Sequence, residues 1–371
     1  MKILRPLLLF TVILSMLLPT VLSSCSQVSY DVVMEYNGIK LTEDKYYYWM
    51  STFKRNILSS YSDAFDTEAF WNGKYDDERT VEEYFTEVIN RRIVNYLIAQ
   101  DIYKKHRLTM PEEDRKAIEE DIREKISYYG SRGALNKELS TLKLNIDSLK
   151  DVYTWEEKHD TVYDYLFGEG GEYEISDSRL GKYFEENYGR IQYIVFYTTK
   201  IQTNDKGDYV YDENGDLITE EMTDKEKQEL QGRIDACMTE LEGGAAFADM
   251  QNKYSQYNTL EKYPNGFYLS ANEVDIWGPE IVLAVKNAEV GEVVRVEEES
   301  AVFIVKRCEL PAIKDVAKED VTEQLGELAA YATKEIYDEV FDTLSKDVTV
   351  YSDVLNHCKL SKIKANPYFS I

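Results

Sequence analysis

R-I-Q-Y-I-V-F-Y, Arg190 to Tyr197, reads as an apolar strand and decides how the rest of the chain is divided. A long amphipathic helical segment follows it, then a glycine-containing turn, Y-P-N-G-F-Y-L (Tyr263 to Leu269). V-G-E-V-V-R-V (Val290 to Val296) leads through a turn to a last strand, A-V-F-I-V-K-R (Ala301 to Arg307). Short runs rich in β-branched and aromatic residues, bounded by Gly, Pro and Asn, are sheet elements. Long helical patterns flank them on both sides. Arg190 to Glu309 is therefore expected to be a small α/β module set into a helical frame.

Working outward, V-V-M-E-Y-N-G-I-K-L-T (Val32 to Thr42) reads as a strand, a tight Asn37-Gly38 turn and a short return. Thr42 is a candidate N-cap for a helix with Tyr46, Trp49, Met50, Phe53 and Ile57 at helical spacing. A second helix, Thr80 to about His106, carries a packing stripe that includes Val81, Phe85, Ile89, Ile93 and Tyr96. T-M-P-E-E-D (Thr109 to Asp114) restarts a helix that runs to about Tyr129. Shorter helices are expected at about 134–143 and 147–166, and a capped one over Ile175 to Tyr188. Beyond Pro311, Val316 to Leu344 reads as one amphipathic helix, and the tail opens on a strand-like V-T-V-Y. Asn204 to Thr219 reads as an inserted β-hairpin around Asn214-Gly215. Its D-E-N-G-D lacks the full spacing of a calcium loop, and F-G-E-G-G-E (Phe167 to Glu172) lacks that of a phosphate cradle.

A chain of 371 residues has room for two or three domains. Its net charge of −26, with no basic stripe to offset it, argues against nucleic acid as a partner. Cys237, Cys308 and Cys358 are widely spaced and form no C-x-x-C, so neither a disulfide framework nor a zinc site is expected. Cys237 and Cys308 read as buried small hydrophobes, and Cys358 sits in a tail. His106, His159 and His357 lie far apart amid polar residues and are expected on the surface. No metal and no cofactor is implied. At the N-terminus, Lys2 and Arg5 precede the mostly apolar run Pro6 to Leu22, which ends in L-S-S-C (Leu22 to Cys25). This resembles a bacterial lipoprotein signal, with Cys25 as the residue to be lipidated. A plain secretory signal cleaved near Ser24 and an uncleaved anchor remain open beside it.

The order of elements then becomes specific. A Y-N-G-x-K-L-T opening, a helical region, a capped helix ending in Y-F-E-E-N-Y and an apolar strand resemble the extracytoplasmic foldases of the PrsA/SurA type. Gly244, Phe247 and Tyr254-Ser255 fit their "G-x-x-F-x-x-x-A-x-x-Y-S" pattern, with Gln251 at the Ala position. Asn265-Gly266-Phe267 resembles the end of the family's "G-G-D-L-G-F" turn, and Ala288 to Val294 its "G-E-V-S" turn. The resemblance implies an α+β protein: a mostly helical chaperone domain made by both ends of the chain, with an inserted parvulin-like domain of antiparallel sheet and helices. The implied boundaries are a signal peptide at 1–24, the N-terminal helical domain at 25–189 and the parvulin-like domain at 190–310, with the insertion at 204–219. A C-terminal helix at 311–346 packs back on the N-terminal domain, and 347–371 is a tail.

In that family a pair of histidines on the first and last strands marks the prolyl isomerase site. Here the two positions fall on Tyr193 and Phe303, and no histidine lies between His159 and His357. No catalytic residue is assigned. Tyr193, Phe267, Trp277, Ile281 and Phe303 are the candidates for an apolar peptide groove, and serve equally well as the core of a small domain. If the module is present, Tyr193 and Phe303 should lie on neighbouring central strands of a four-stranded antiparallel sheet. The function implied is a membrane-anchored extracytoplasmic folding factor that binds unfolded or proline-containing polypeptides, with isomerase activity weak or lost. The alternative is an inactive parvulin-like scaffold lipoprotein for one partner. A solute-binding lipoprotein is disfavoured, because the serial βα units of an open parallel sheet are missing.

Overall fold

A computed structural model describes residues 30–61, 65–202, 210, 218–298 and 300–366. Cys25, the signal peptide expected at 1–24 and most of the insertion expected at 204–219 lie outside the described residues. The fold is α+β, in two compact units: Met1–Tyr173 with Tyr337–Ile371, and Glu174–Ile336. Among the described residues no helix is long and apolar enough to cross a membrane.

The first unit opens on a hairpin of β1 (Val32–Tyr36) and β2 (Ile39–Thr42). Asn37 and Gly38 take φ of 48° and 80°, the left-handed pair that a two-residue turn matched to sheet twist needs. Helices follow: α1 (Glu43–Tyr61), α2 (Glu68–Trp71), α3 (Val81–His106), α4 (Glu112–Tyr128), α5 (Arg132–Leu139) and α6 (Ile146–Phe167). A capping box starts α3: Thr80 accepts from the Glu83 N–H, and Glu83 accepts from the Thr80 N–H. Trp49 sits at the centre of the core, its ring 4.9 Å from Tyr96 and 6.1 Å from Trp155.

His106 and His357 are exposed as expected, but His159 is not. Its Nε2 lies 2.8 Å from the Tyr337 hydroxyl, and its ring meets Tyr96 edge-on at 5.2 Å. The polar neighbours Lys158 and Asp160 misled the sequence reading. On a helix it is the residues three and four away that share a face, and here those are Val162 and Trp155.

The second unit begins with α7 (Asp177–Asn187), capped by Ser176, and runs straight into β3 (Tyr188–Tyr197). Short strands β4 (Thr199–Ile201) and β5 (Thr219–Glu221) pair antiparallel at the base of the insertion. Next come α8 (Asp224–Glu242), α9 (Phe247–Tyr254), β6 (Phe267–Ser270), α10 (Val274–Trp277), α11 (Pro279–Asn287), β7 (Val293–Glu297) and β8 (Ala301–Cys308). Four strands form one antiparallel sheet in the order β6-β3-β8-β7. Ile194, Phe196, Val302 and Ile304 pack on one face against Ile234 and Cys237 of α8 and Phe247 and Met250 of α9. Ile191, Tyr193, Val195 and Val305 pack on the other against Ile281, Val282 and Val285 of α11.

The single helix expected over Val316 to Leu344 is two: α12 (Lys318–Gln324) and α13 (Leu328–Ser345). The break contains Gly326, a poor helix former. Leu325 and Leu328, on either side of it, both enter a cluster with Phe184, Tyr188 and Tyr268. Tertiary burial has overridden the helical period.

The tail belongs to the first unit. β9 (Thr349–Val350) joins β1, and α14 (Ser352–Leu355) follows. Residues 358–366 then cross α1 as a strap. Lys54, only 1 % exposed, donates to the Leu360 and Ile363 carbonyls at 2.7 Å each and pairs with Asp66 at 2.6 Å. Ser51 donates to the Lys364 carbonyl, and the buried Asn366 side chain donates to Thr52. Lys54→Met leaves those carbonyls buried and unpaired, and is expected to cost the first unit ~2–4 kcal/mol. A lowered urea midpoint and faster amide exchange in the strap would register it. Lys362→Ala, which removes only an exposed ion pair with Glu68, should leave both nearly unchanged.

Glu156 on α6 accepts from the Trp49 indole N–H at 2.6 Å. Burial pushes its carboxyl up to about 7, against the pull of the Trp49 hydrogen bond and of Arg92. A carboxyl raised in the folded state binds a proton that the unfolded chain has already released. Its contribution is present below the unfolded value and fades as pH rises towards about 7. Amide exchange along α6 should therefore report a unit more stable at pH 5 than at pH 8, by up to roughly 3 kcal/mol. Glu156→Gln should remove most of that dependence.

Candidate functional site

Register brings the site together. In the β3–β8 ladder Tyr193 faces Val305 and Val195 faces Phe303, so Tyr193 and Phe303 are diagonal neighbours on one face of the sheet. Their rings meet at 6.0 Å and 63°. Trp277, at the end of α10, stands edge-on to Tyr193 at 5.4 Å and 6.3 Å from Phe303. Phe267, the first residue of β6, lies 5.5 Å from Trp277 and 5.3 Å from Tyr263. All but the tilted Phe267–Trp277 pair are the edge-to-face arrangements that the ring quadrupole favours. Four of the five groove candidates thus form one aromatic shelf. Ile281 and Tyr193 are both buried members of one apolar cluster, while Trp277, Phe303 and Phe267 are only partly buried.

The elbow between α10 and α11 aims Trp277. Gly278 sits at φ 89°, where an added Cβ would stand 2.4 Å from the Glu298 carboxyl. That carboxyl accepts from the Ile281 N–H at 2.9 Å and caps the start of α11, whose first residue is Pro279. Gly278→Ala is expected to cost ~1–3 kcal/mol in urea unfolding and to shift Trp277 emission, because it strains φ and displaces the cap.

The edge of β3 is closed by the segment after α9. β6 pairs with β3 only from Tyr188 to Ile191. Beyond that, the Val195 N–H donates to Ser255 Oγ at 3.1 Å, and the Gln256 N–H donates to the Val195 carbonyl at 2.9 Å. The Tyr197 N–H donates to the Gln256 side chain. Ser255 and Gln256 thus meet the need of an otherwise open edge.

Three residues of this region were missed by sequence reasoning. Tyr263 extends the shelf, four residues before Phe267, and its aromatic spacing was the available signal. Thr259 stands beside the Tyr193 hydroxyl, and the buried Gln251 donates to Thr259 Oγ1 at 3.3 Å. No local pattern in the sequence announces either contact. Burial, with the nearby Tyr257 phenol, pushes the Tyr193 hydroxyl up to about 12, so it stays protonated at physiological pH. The shelf is neutral and aromatic, edged by hydroxyls.

The first unit has a cleft of about 580 Å³ lined by Tyr46, Glu82, Glu83, Glu87 and Asn90 among others. Its carboxylates are engaged: Glu82 accepts from Ser361, Glu83 from Thr80 and Glu87 from Arg79. The cleft therefore brings together no acid–base pair.

No family model matches the chain, and no curated protein matches it. Among solved structures it is similar to PrsA from Bacillus subtilis, at 14% identity over 74% of this chain and 86% of that one, with a TM-score of 0.23. Foldase protein PrsA from Streptococcus pneumoniae is similar at 14% identity over 88% and 98%, with a TM-score of 0.27. The peptidylprolyl isomerase PrsA from Bacillus anthracis is similar at 16% identity over 74% and 99%, with a TM-score of 0.26. Scores at this level fix no superposition of site residues.

Proposed function

We propose that this chain is a lipid-anchored, extracytoplasmic protein-folding factor. Its second unit holds extended apolar segments of unfolded or proline-containing polypeptides on the aromatic shelf, and prolyl isomerisation is weak or lost. The observation that carries the reading is the convergence of Tyr193, Phe303, Trp277 and Phe267 on one face of an antiparallel sheet. Tyr193 and Phe303 stand where the foldases resembled in sequence carry their histidines.

Aromatic rings give large contact area at low cost in conformational entropy and accept varied partners. Isomerisation asks for more, because amide resonance sets a barrier of ~18–20 kcal/mol and a catalyst must stabilise the twisted amide. A neutral shelf desolvates and grips the proline ring but supplies no charge. Acyl chains on Cys25, at ~0.8 kcal/mol per buried CH₂, would keep the site near chains emerging from the membrane.

The full chain at micromolar concentration is expected to suppress aggregation of several unrelated denatured clients, and Trp277→Ala to lose most of that effect. In a protease-coupled prolyl peptide assay the rate should stay near background, with Tyr193→His/Phe303→His gaining activity. Binding to one native partner, with no effect on any denatured client, would replace this reading with that of a dedicated scaffold lipoprotein. Mass spectrometry of the membrane-extracted chain should find the lipid on Cys25.

A further inference from the structure

The four-stranded sheet has two edges, and the chain treats them differently. In an antiparallel pair, residues that exchange main-chain hydrogen bonds alternate with residues whose N–H and C=O face away. At the β6 edge the Ala271 N–H donates to the Asn187 carbonyl at 2.8 Å, so by alternation Tyr268 and Ser270 face outward. Both outward amides are met. The Tyr268 N–H donates to the Gln324 side chain at 3.0 Å, and the Ser270 N–H donates to the Glu273 carboxylate at 2.9 Å.

At the β7 edge the Glu298 N–H donates to the Ala301 carbonyl at 2.9 Å. The same alternation turns Val294 and Val296 towards β8, and turns the main-chain groups of Val293, Arg295 and Glu297 outward. Among the described residues nothing meets those three N–H groups. Val294 and Val296 pack with Ile281 and Val285 of α11, and Arg295 reaches Gln231 of α8 at 3.4 Å, so both helices sit on the faces of the strand. Arg295 and Glu297 are exposed and pair with each other at 2.6 Å. An edge left open in this way is a template for one more strand.

Charge decides which strand. From Ala288 to Glu298 the chain carries Glu289, Glu292, Glu297 and Glu298 against Arg295 alone. A second copy would bring the same carboxylates to the edge, and a net charge of −26 of its own. Charged side chains on an edge keep out apolar strands, but an acidic edge draws in a basic one. We propose that β7 is a strand-addition site for an extended, basic polypeptide segment, paired antiparallel through the main-chain groups of Val293, Arg295 and Glu297. In that pairing a lysine or arginine of the segment stands opposite Glu297 on the α8 face, and the cross-strand charge pair adds to the main-chain bonds. The site uses none of the rings of the shelf, so it stands or falls apart from the function proposed above.

The test is fluorescence anisotropy of the full chain with a labelled Lys-Val-Lys-Val-Thr-Val-Lys peptide. The unmodified peptide is expected to bind, and to bind less well as salt rises. N-methylation of the central lysine and the threonine, whose amides face β7, should weaken binding about tenfold or more, the loss of two main-chain hydrogen bonds. N-methylation of two valines, whose amides face away, should change it by no more than about twofold. Glu297→Lys should weaken binding about fivefold. A peptide with glutamate in place of the central lysine should prefer Glu297→Lys to the unaltered chain, a reversal that a folding defect does not give. Equal effects of the two methylation patterns, or no binding of any peptide, would overturn the inference. Loss of binding in Trp277→Ala with the two patterns equal would put the peptide on the shelf instead. Self-association of the chain in sedimentation, abolished by Glu297→Lys, would give the edge to a second copy and overturn it equally.

Discussion

The pairing of β3 with β8 is the constraint on which the second unit depends. Eight residue pairs, from Arg190 with Cys308 to Tyr197 with Ala301, lie in unbroken register at the centre of the sheet. Alternation along them fills two cores at once, one under α8 and α9 and one under α11. A slip of one residue would exchange the faces of every side chain. Both faces are apolar, so polarity alone would not forbid it, and the register is pinned by shape and by edge contacts instead. At Gly189 a Cβ would run into the Arg307 guanidinium, which donates to the last turn of α11 through the Val285 carbonyl. At the other end Ser255 and Gln256 clasp the main chain of Val195 and Tyr197. The aromatic shelf is a consequence of that register, since only in it do Tyr193 and Phe303 share a face.

What the sequence made legible was whatever short-range periodicity or turn chemistry encodes. The Asn37-Gly38 hairpin, the capping of α3 and the strands at Arg190 and Ala301 are written locally, and Tyr193 and Phe303 followed from the strand pattern. What stayed hidden depended on distant partners. Leu325 and Leu328 fit one helical stripe, yet the pull of Phe184, Tyr188 and Tyr268 splits that helix at Gly326. Residues 358–366 have no periodicity because their conformation is set by Lys54, Ser51 and Thr52 on α1. Gln251 meets Thr259 through a contact across a loop, which no spacing rule anticipates.

Both units tie buried polar groups to partners distant in the chain. In the first, buried polar atoms are tied into dense local networks: Lys54 with two carbonyls, Glu156 with Trp49, and Asn95 with Tyr337 beside His159. Such networks specify one arrangement when fully satisfied. A few buried atoms stay unpaired in each unit, Asp44 Oδ1 in the first and Gln251 Oε1 in the second.

On the proposed reading, a phenol and a phenyl ring where the resembled foldases carry histidines change what such a sheet can do far more than whether it folds. Ring against ring preserves the packing of the face, as the contacts of Tyr193, Phe303 and Trp277 show. The chemistry is another matter. A single neutral hydrogen bond, even if it favoured the twisted amide over the planar one by its full net worth of ~1 kcal/mol, would speed isomerisation only about fivefold. Set against a barrier of ~18–20 kcal/mol, that is a small change in rate. The same hydrogen bond, added to the burial of an apolar side chain on four rings, is a substantial share of the affinity of a weak, exchangeable complex. On the reading proposed above, the physical chemistry of such a shelf favours holding a chain over turning its prolines.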